Sequence, residues 1–150
     1  MKSYLTVCLA LLVLLGSVAL NAQSVVSANK TTAMPAGDAS RGRLVFATCR
    51  TCHYAESFMG HNNGPNLNRI FGKVAGKQPG FNYYSNRFKN AQFVWTPEFM
   101  FAWLENPLGM FPDSTMMSLG LPDPQQRADL VAFLQQASVR DTAPSTVQDK

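Results

Sequence analysis

Cys49-Arg50-Thr51-Cys52-His53 places two cysteines three residues apart with a histidine directly behind them. That spacing suits covalent haem attachment. On one turn of chain each sulfur can form a thioether with a haem vinyl group, and the His53 imidazole can swing under the iron as an axial ligand. Two plainer readings compete. A dithiol redox pair has no use for the following histidine. A zinc site with a Cys-x-x-Cys arm needs two further ligands, and the chain's only other cysteine and histidine are Cys8 and His61. The motif therefore points to one covalently bound haem c.

Residues 1–22 read as an export signal: Lys2 supplies the charged start, 5–20 form an apolar run, and Ala19 and Ala22 are small residues where cleavage can fall. Cys8 leaves with it and sits too early to be a lipid-modified cysteine. The alternative is an uncleaved anchor, because the cleavage site is imperfect. Its 16 apolar-run residues fall short of the ~20 needed to span a bilayer, so no stable membrane insertion is expected once the signal is cut. Export fits the motif, since thioethers form on reduced cysteines outside the cytoplasm. Cys49 and Cys52 are then the only thiols, which excludes a disulfide framework.

Residues 23–36 and 139–150 are rich in small and polar side chains without apolar periodicity and read as flexible flanks. One folded domain over 37–138 remains, and ~100 residues can bury a core alone. The formal charge of +4 and pI near 9.2 do not make a nucleic-acid binder. Within 37–138 nine Lys or Arg face seven Asp or Glu, scattered rather than clustered, with no run to track phosphates.

Asp38 can cap a first helix that carries Arg41, Leu44, Val45 and Thr48 into the cysteine motif. Thr96-Pro97-Glu98 starts a second, which Pro107 stops. Asp123-Pro124 opens a third that runs to about Ser138, with Leu130, Phe133 and Leu134 on one face. Residues 54–94 hold five glycines and two prolines and show no alternation long enough for a strand. Loops of that length are uncommon in a compact domain, and a haem would supply the apolar surface they wrap.

With these elements in place the chain resembles a class I cytochrome c, close to the mitochondrial protein and its bacterial periplasmic relatives. The likeness covers about 37–137. It rests on Gly42 and Phe46, the 49–53 motif, His61, Gly64-Pro65-Asn66-Leu67, Ile70-Phe71-Gly72, Gly76, Pro79-Gly80-Phe81, Tyr83, Trp95, Leu104-Glu105-Asn106-Pro107, Pro112, Met116, Arg127, Leu130 and Phe133. The implied fold is all-α, three or more helices and long loops around one covalent haem.

The resemblance implies a role for each matched position. Pro65 would accept the free ring N–H of His53, so that the other nitrogen binds iron. His61 would brace loops by hydrogen bonds. Tyr83 and Trp95 would donate to a haem propionate, and Gly42 would let the first helix approach the last. Met34, Met59, Met100, Met110, Met116 and Met117 are the sixth-ligand candidates once the signal is cut; Met34 reads as tail and Met100 as core. Adjacent side chains in an extended loop point to opposite faces, so only one of Met116 and Met117 can face the iron, and spacing does not choose between them. The match of Pro112-Asp113-Ser114-Thr115-Met116 to the family loop selects Met116. There are departures. Trp103 stands where the family has a tyrosine near the methionine sulfur, Lys73 replaces an arginine near a propionate, and Leu108, Gly109 and Thr115 stand in place of docking lysines.

A saturated His53/Met116 iron has no open site for substrate. The implied function is one-electron transfer by a periplasmic, monomeric carrier, not an enzyme. Its redox partners would be a quinol-oxidising complex or dehydrogenase on one side and a terminal oxidase or reaction centre on the other. The alternative is a haem peroxidase or gas-binding module with a displaceable methionine.

Overall fold

The computed structural model describes residues 33–140. The expected leader over 1–22, the flank as far as residue 32 and the tail from 141 lie outside the described residues. Five α-helices and one 3-10 turn follow in order: α1 Ala39–Cys49, the turn Ser57–Met59, α2 Asn86–Lys89, α3 Pro97–Trp103, α4 Pro107–Met110 and α5 Pro124–Arg140. Among the described residues the only β pairing is an isolated antiparallel bridge between Val74 and Val94. The fold is all-α.

Local chemistry sets the helix starts. The Asp38 carboxylate accepts the Arg41 amide at 2.8 Å ahead of α1, and the Thr96 hydroxyl accepts the Phe99 amide at 3.1 Å ahead of α3. The chain after α3 differs from the sequence reading. Leu104 caps α3, and Pro107 opens α4 rather than only stopping its predecessor. At a first helical position its missing N–H costs nothing, and the Asn106 side chain accepts the Gly109 amide at 2.9 Å. α2 escapes the sequence reading because four residues are too few to display a helical period.

The core forms where α1 lies across α5. A Cβ on residue 42 would stand 1.9 Å from the Asp129 carbonyl oxygen, so glycine is what allows the two backbones to approach this closely. Phe46 follows one turn later, its ring 5.0 Å from that of Phe133, with Leu130, Val131 and Leu134 buried around it. Met100 is buried in α3, as expected. Met34 packs against the core, and the Ala36 carbonyl accepts Gln125 Nε2 at 2.9 Å, so the chain joins the fold before Gly37.

A buried carboxylate ties the same two helices. The guanidinium of Arg41 forks Asp129 through Nε at 2.7 Å and Nη2 at 2.8 Å, while the Asp38 amide (2.7 Å) and Gln125 Nε2 (3.0 Å) donate to its Oδ1. Asp129's side chain is 4% exposed and that of Arg41 57%. The Arg41 hydrogen bonds, followed by those from Asp38 and Gln125, hold the Asp129 carboxyl well below the usual carboxylate range. A group with a depressed folded pKa stabilises the protein above its unfolded value, here 3.8, and that contribution is lost as pH falls through the folded value. Replacing Asp129 by Asn should cost about 2 kcal/mol at pH 7. Urea unfolding of the haem-loaded protein from pH 7 to pH 2 checks this, with a steeper loss of stability below pH 4 expected in the native chain than in the variant.

Candidate haem site

α1 ends on the first cysteine of the motif. The Arg50 amide still reaches the Phe46 carbonyl at 3.0 Å, and then the Cys52 and His53 amides both bond to the Cys49 carbonyl, at 3.0 and 2.9 Å. The motif is thereby curled into a single tight turn. A second segment is laced beneath it: the Gly64 amide donates to Cys52 O at 2.7 Å, Asn62 Nδ2 to Thr51 O at 3.0 Å, and the Leu67 amide to Tyr54 O at 2.7 Å.

That lacing fixes His53. Its Nδ1 lies 2.7 Å from the Pro65 carbonyl oxygen. A carbonyl only accepts, so Nδ1 carries the proton and Nε2 keeps a free lone pair. Gly64 is equally constrained, because a Cβ there would lie 2.3 Å from His53 Cε1. Burial lowers the pKa of the imidazole, against the opposing pull of the Pro65 carbonyl, and so favours the neutral ring that a metal requires. Burial also pushes the Cys49 thiol up, with the neighbouring Thr48 hydroxyl acting the other way.

His61 has a different place. The Asn66 amide donates to its Nδ1 at 3.0 Å, which leaves Nε2 protonated to donate to the Pro79 carbonyl at 2.8 Å. Both nitrogens are spent on bracing two loops. Asn66 is buried beside it and pins the turn before it, donating through Nδ2 to Glu56 O and Gly60 O, both at 2.8 Å. Asn68, also buried, donates through Nδ2 to Ala55 O at 3.0 Å. Lys73 Nζ donates to Asn68 O at 2.9 Å and to Gln78 Oε1 at 3.0 Å.

An aromatic wall stands on the other side of the core. Phe88 lies with its ring centroid 5.3 Å from Trp103 and 5.0 Å from Phe111, and Phe93 lies 5.1 Å from Trp95. Trp95 and Trp103 are both buried and their rings meet at 5.8 Å. Tyr83 is 75% exposed, its ring edge-on to Phe81 at 5.7 Å. Met116 is half-buried against the core cluster, whereas Met117 is 95% exposed.

These residues fit a haem held through the motif. A neutral imidazole with its tautomer fixed, a glycine that no side chain can replace without striking that ring, and two thiols on one turn form a coherent donor set. The structure keeps Pro65 and Gly64 with His53 and puts Trp95 beside Trp103. Sequence reasoning missed the two buried asparagine side chains as loop pins and the Arg41–Asp129 fork. Asn66 stood inside a short motif, and nothing local marked Asn68 or the fork.

Comparison with known proteins agrees. The family model described as cytochrome c matches residues 39–138. Cytochrome c of Chlamydomonas reinhardtii is 44% identical over 105 residues, 69% of this chain and 93% of that protein. Cytochrome c of Sesamum indicum is 39% identical over 105 residues, covering 69% and 94%. Cytochrome c2 of Rhodomicrobium vannielii is 40% identical over 103 residues, covering 69% and 82%. With a match across nearly the whole described fold, the chain belongs to the class I cytochromes c, electron-transfer proteins with one haem c bound covalently, and Cys49 and Cys52 stand in the position of the family's attachment motif.

Proposed function

We propose that the protein is an exported one-electron carrier whose haem iron is held between His53 Nε2 and the Met116 sulfur. It would shuttle electrons in the periplasm from a quinol-oxidising complex or dehydrogenase to a terminal oxidase or reaction centre. The observation that carries this reading is the 2.7 Å bond from His53 Nδ1 to Pro65, which leaves only Nε2 to bind metal. The iron supplies the reversible one-electron step, and thioether ligation favours its reduced state. The chain's part would be to hold the His53 and Met116 side chains in place, so that little rearrangement accompanies a change of charge.

Met116 is favoured over Met117 by burial. Met116 packs partly buried against the core, and Met117 is exposed. Replacing Met116 by Ala should abolish the sulfur-to-iron charge-transfer band of the oxidised protein and lower its potential, while Met117→Ala leaves both unchanged. The reverse result would assign the ligand to Met117.

Export rests on Lys2 and the apolar run over 5–20. No helix among the described residues is long and apolar enough to cross a membrane. Mass spectrometry of the haem protein from a periplasmic fraction should show the loss of about 22 residues, the usual length of a cleaved leader. An intact N-terminus in the membrane fraction would instead establish a retained anchor.

Docking is proposed to be mainly apolar. Leu108 is partly exposed and Leu119 is 92% exposed on the segment that carries Met116, and lysines are missing where the family presents them. Charge steering accelerates association and fades with salt, over a Debye length of ~10 Å at 0.1 M. Stopped-flow rates with the native partner should therefore depend weakly on ionic strength, and Leu108→Asp should slow transfer more than Lys77→Ala. A steep fall with added salt would reveal a charged docking ring.

A further inference from the structure

Residues 112–119 are held to the rest of the chain by few polar contacts, and every one goes to the same place. Within the segment the bonds are local: the Met116 amide donates to Ser114 Oγ at 3.1 Å, the Ser118 amide to Met116 O at 2.9 Å. Beyond the loop and its immediate flanks, Thr115 Oγ1 donates to Tyr83 O at 3.0 Å. Asp113 receives the Arg87 amide on Oδ2 and the Arg87 Nε on Oδ1, each at 3.4 Å. The Arg87 guanidinium also lies 6.0 Å from the centroid of the Phe111 ring, at the loop's entry. On the exit side the chain is fastened separately, by the Leu121 amide on Leu104 O at 2.7 Å and by the buried Arg127 guanidinium on Leu121 O and Pro122 O at 2.7 and 2.9 Å.

We infer that Arg87, Asp113 and Thr115 are positioning residues that latch the Met116 segment onto the chain around α2, and so set how often the methionine is withdrawn from the metal. This rests on the proposed ligation by Met116. The entry end is held without Arg87, by the Phe111 amide on Pro107 O at 2.9 Å and by the Phe111 ring against Phe88 and Phe93 at 5.0 and 5.7 Å, so with both ends fastened the part between them can swing as a unit when the latch contacts break. An exposed ion pair is worth only a few tenths to 1 kcal/mol and a hydrogen bond about 1 kcal/mol. Contacts of that size leave a small open population instead of locking the segment shut, and because they are independent of the core they can change without unfolding it.

The experiment uses the haem-loaded, oxidised protein and imidazole as an added ligand, which binds iron only when the methionine has left. Its apparent affinity is then the intrinsic affinity multiplied by the open fraction. Arg87→Ala and Thr115→Val should each raise that affinity about threefold, and the two together about tenfold. Exchanging the charges with Arg87→Asp and Asp113→Arg should bring it most of the way back, which a merely structural role would not do. Amide hydrogen exchange over 112–119 should quicken in the single variants while α5 stays protected. Unchanged imidazole affinity in both single variants overturns the inference, as does quicker exchange with no change in affinity. Met116→Ala separates the two readings: if it binds imidazole no more tightly than the native protein, the ligand assignment fails; if it binds more tightly and the latch variants do not, only the latch fails.

Discussion

The Asp129 carbonyl oxygen occupies the space that a side chain on residue 42 would need. This contact between two backbones governs the molecule, since α1 and α5 are the two longest helices among the described residues and their crossing is the most extensive helix packing there. Once they touch, Phe46 meets Phe133 in the layer below, and the Arg41 fork reaches Asp129 in the layer above. Close approach, aromatic packing and a satisfied buried carboxylate thus reinforce one geometry.

The site inherits its position from that crossing. α1 runs from the helix contact straight into Cys49, so whatever orients α1 orients the first thiol, and the tight turn through Cys52 carries the same orientation to His53. The ring is then seated from below by Gly64 and Pro65. Neither residue could do this from its own stretch of chain alone, because the turn that presents them is held by Asn66 and His61, side chains that bond to backbone groups from 56, 60 and 79. A helix satisfies its own amides; these loops satisfy theirs with buried asparagine and histidine, and the cost of burying such polar groups is offset only when all their bonds are made.

Rigidity is distributed unevenly. The His53 side is laced by short bonds into the helix pair, while the Met116 side hangs between two fastened ends with a few exposed contacts in between. The proposed His53/Met116 ligation would draw on this asymmetry, with one donor held firmly and the other adjustable.

The motif at 49–53, the helix starts at Asp38, Thr96 and Asp123, and the apolar face of the last helix were legible because each depends on neighbours within a turn or two. A capping side chain reaches three residues, and a helical period shows itself in ten. The all-α class and the covalent haem followed from such local signals together with the order of family motifs. α2, the helical start at Pro107, the part played by Asn68 and the pairing of Arg87 with Asp113 were not legible. Arg87 and Asp113 stand 26 positions apart and Arg41 and Asp129 88 apart, and nothing in either local stretch marks a partner. Adjacent Met116 and Met117 show the boundary most clearly: identical side chains on consecutive residues have the same chemistry, and only the packed fold seats one against the core and leaves the other in water.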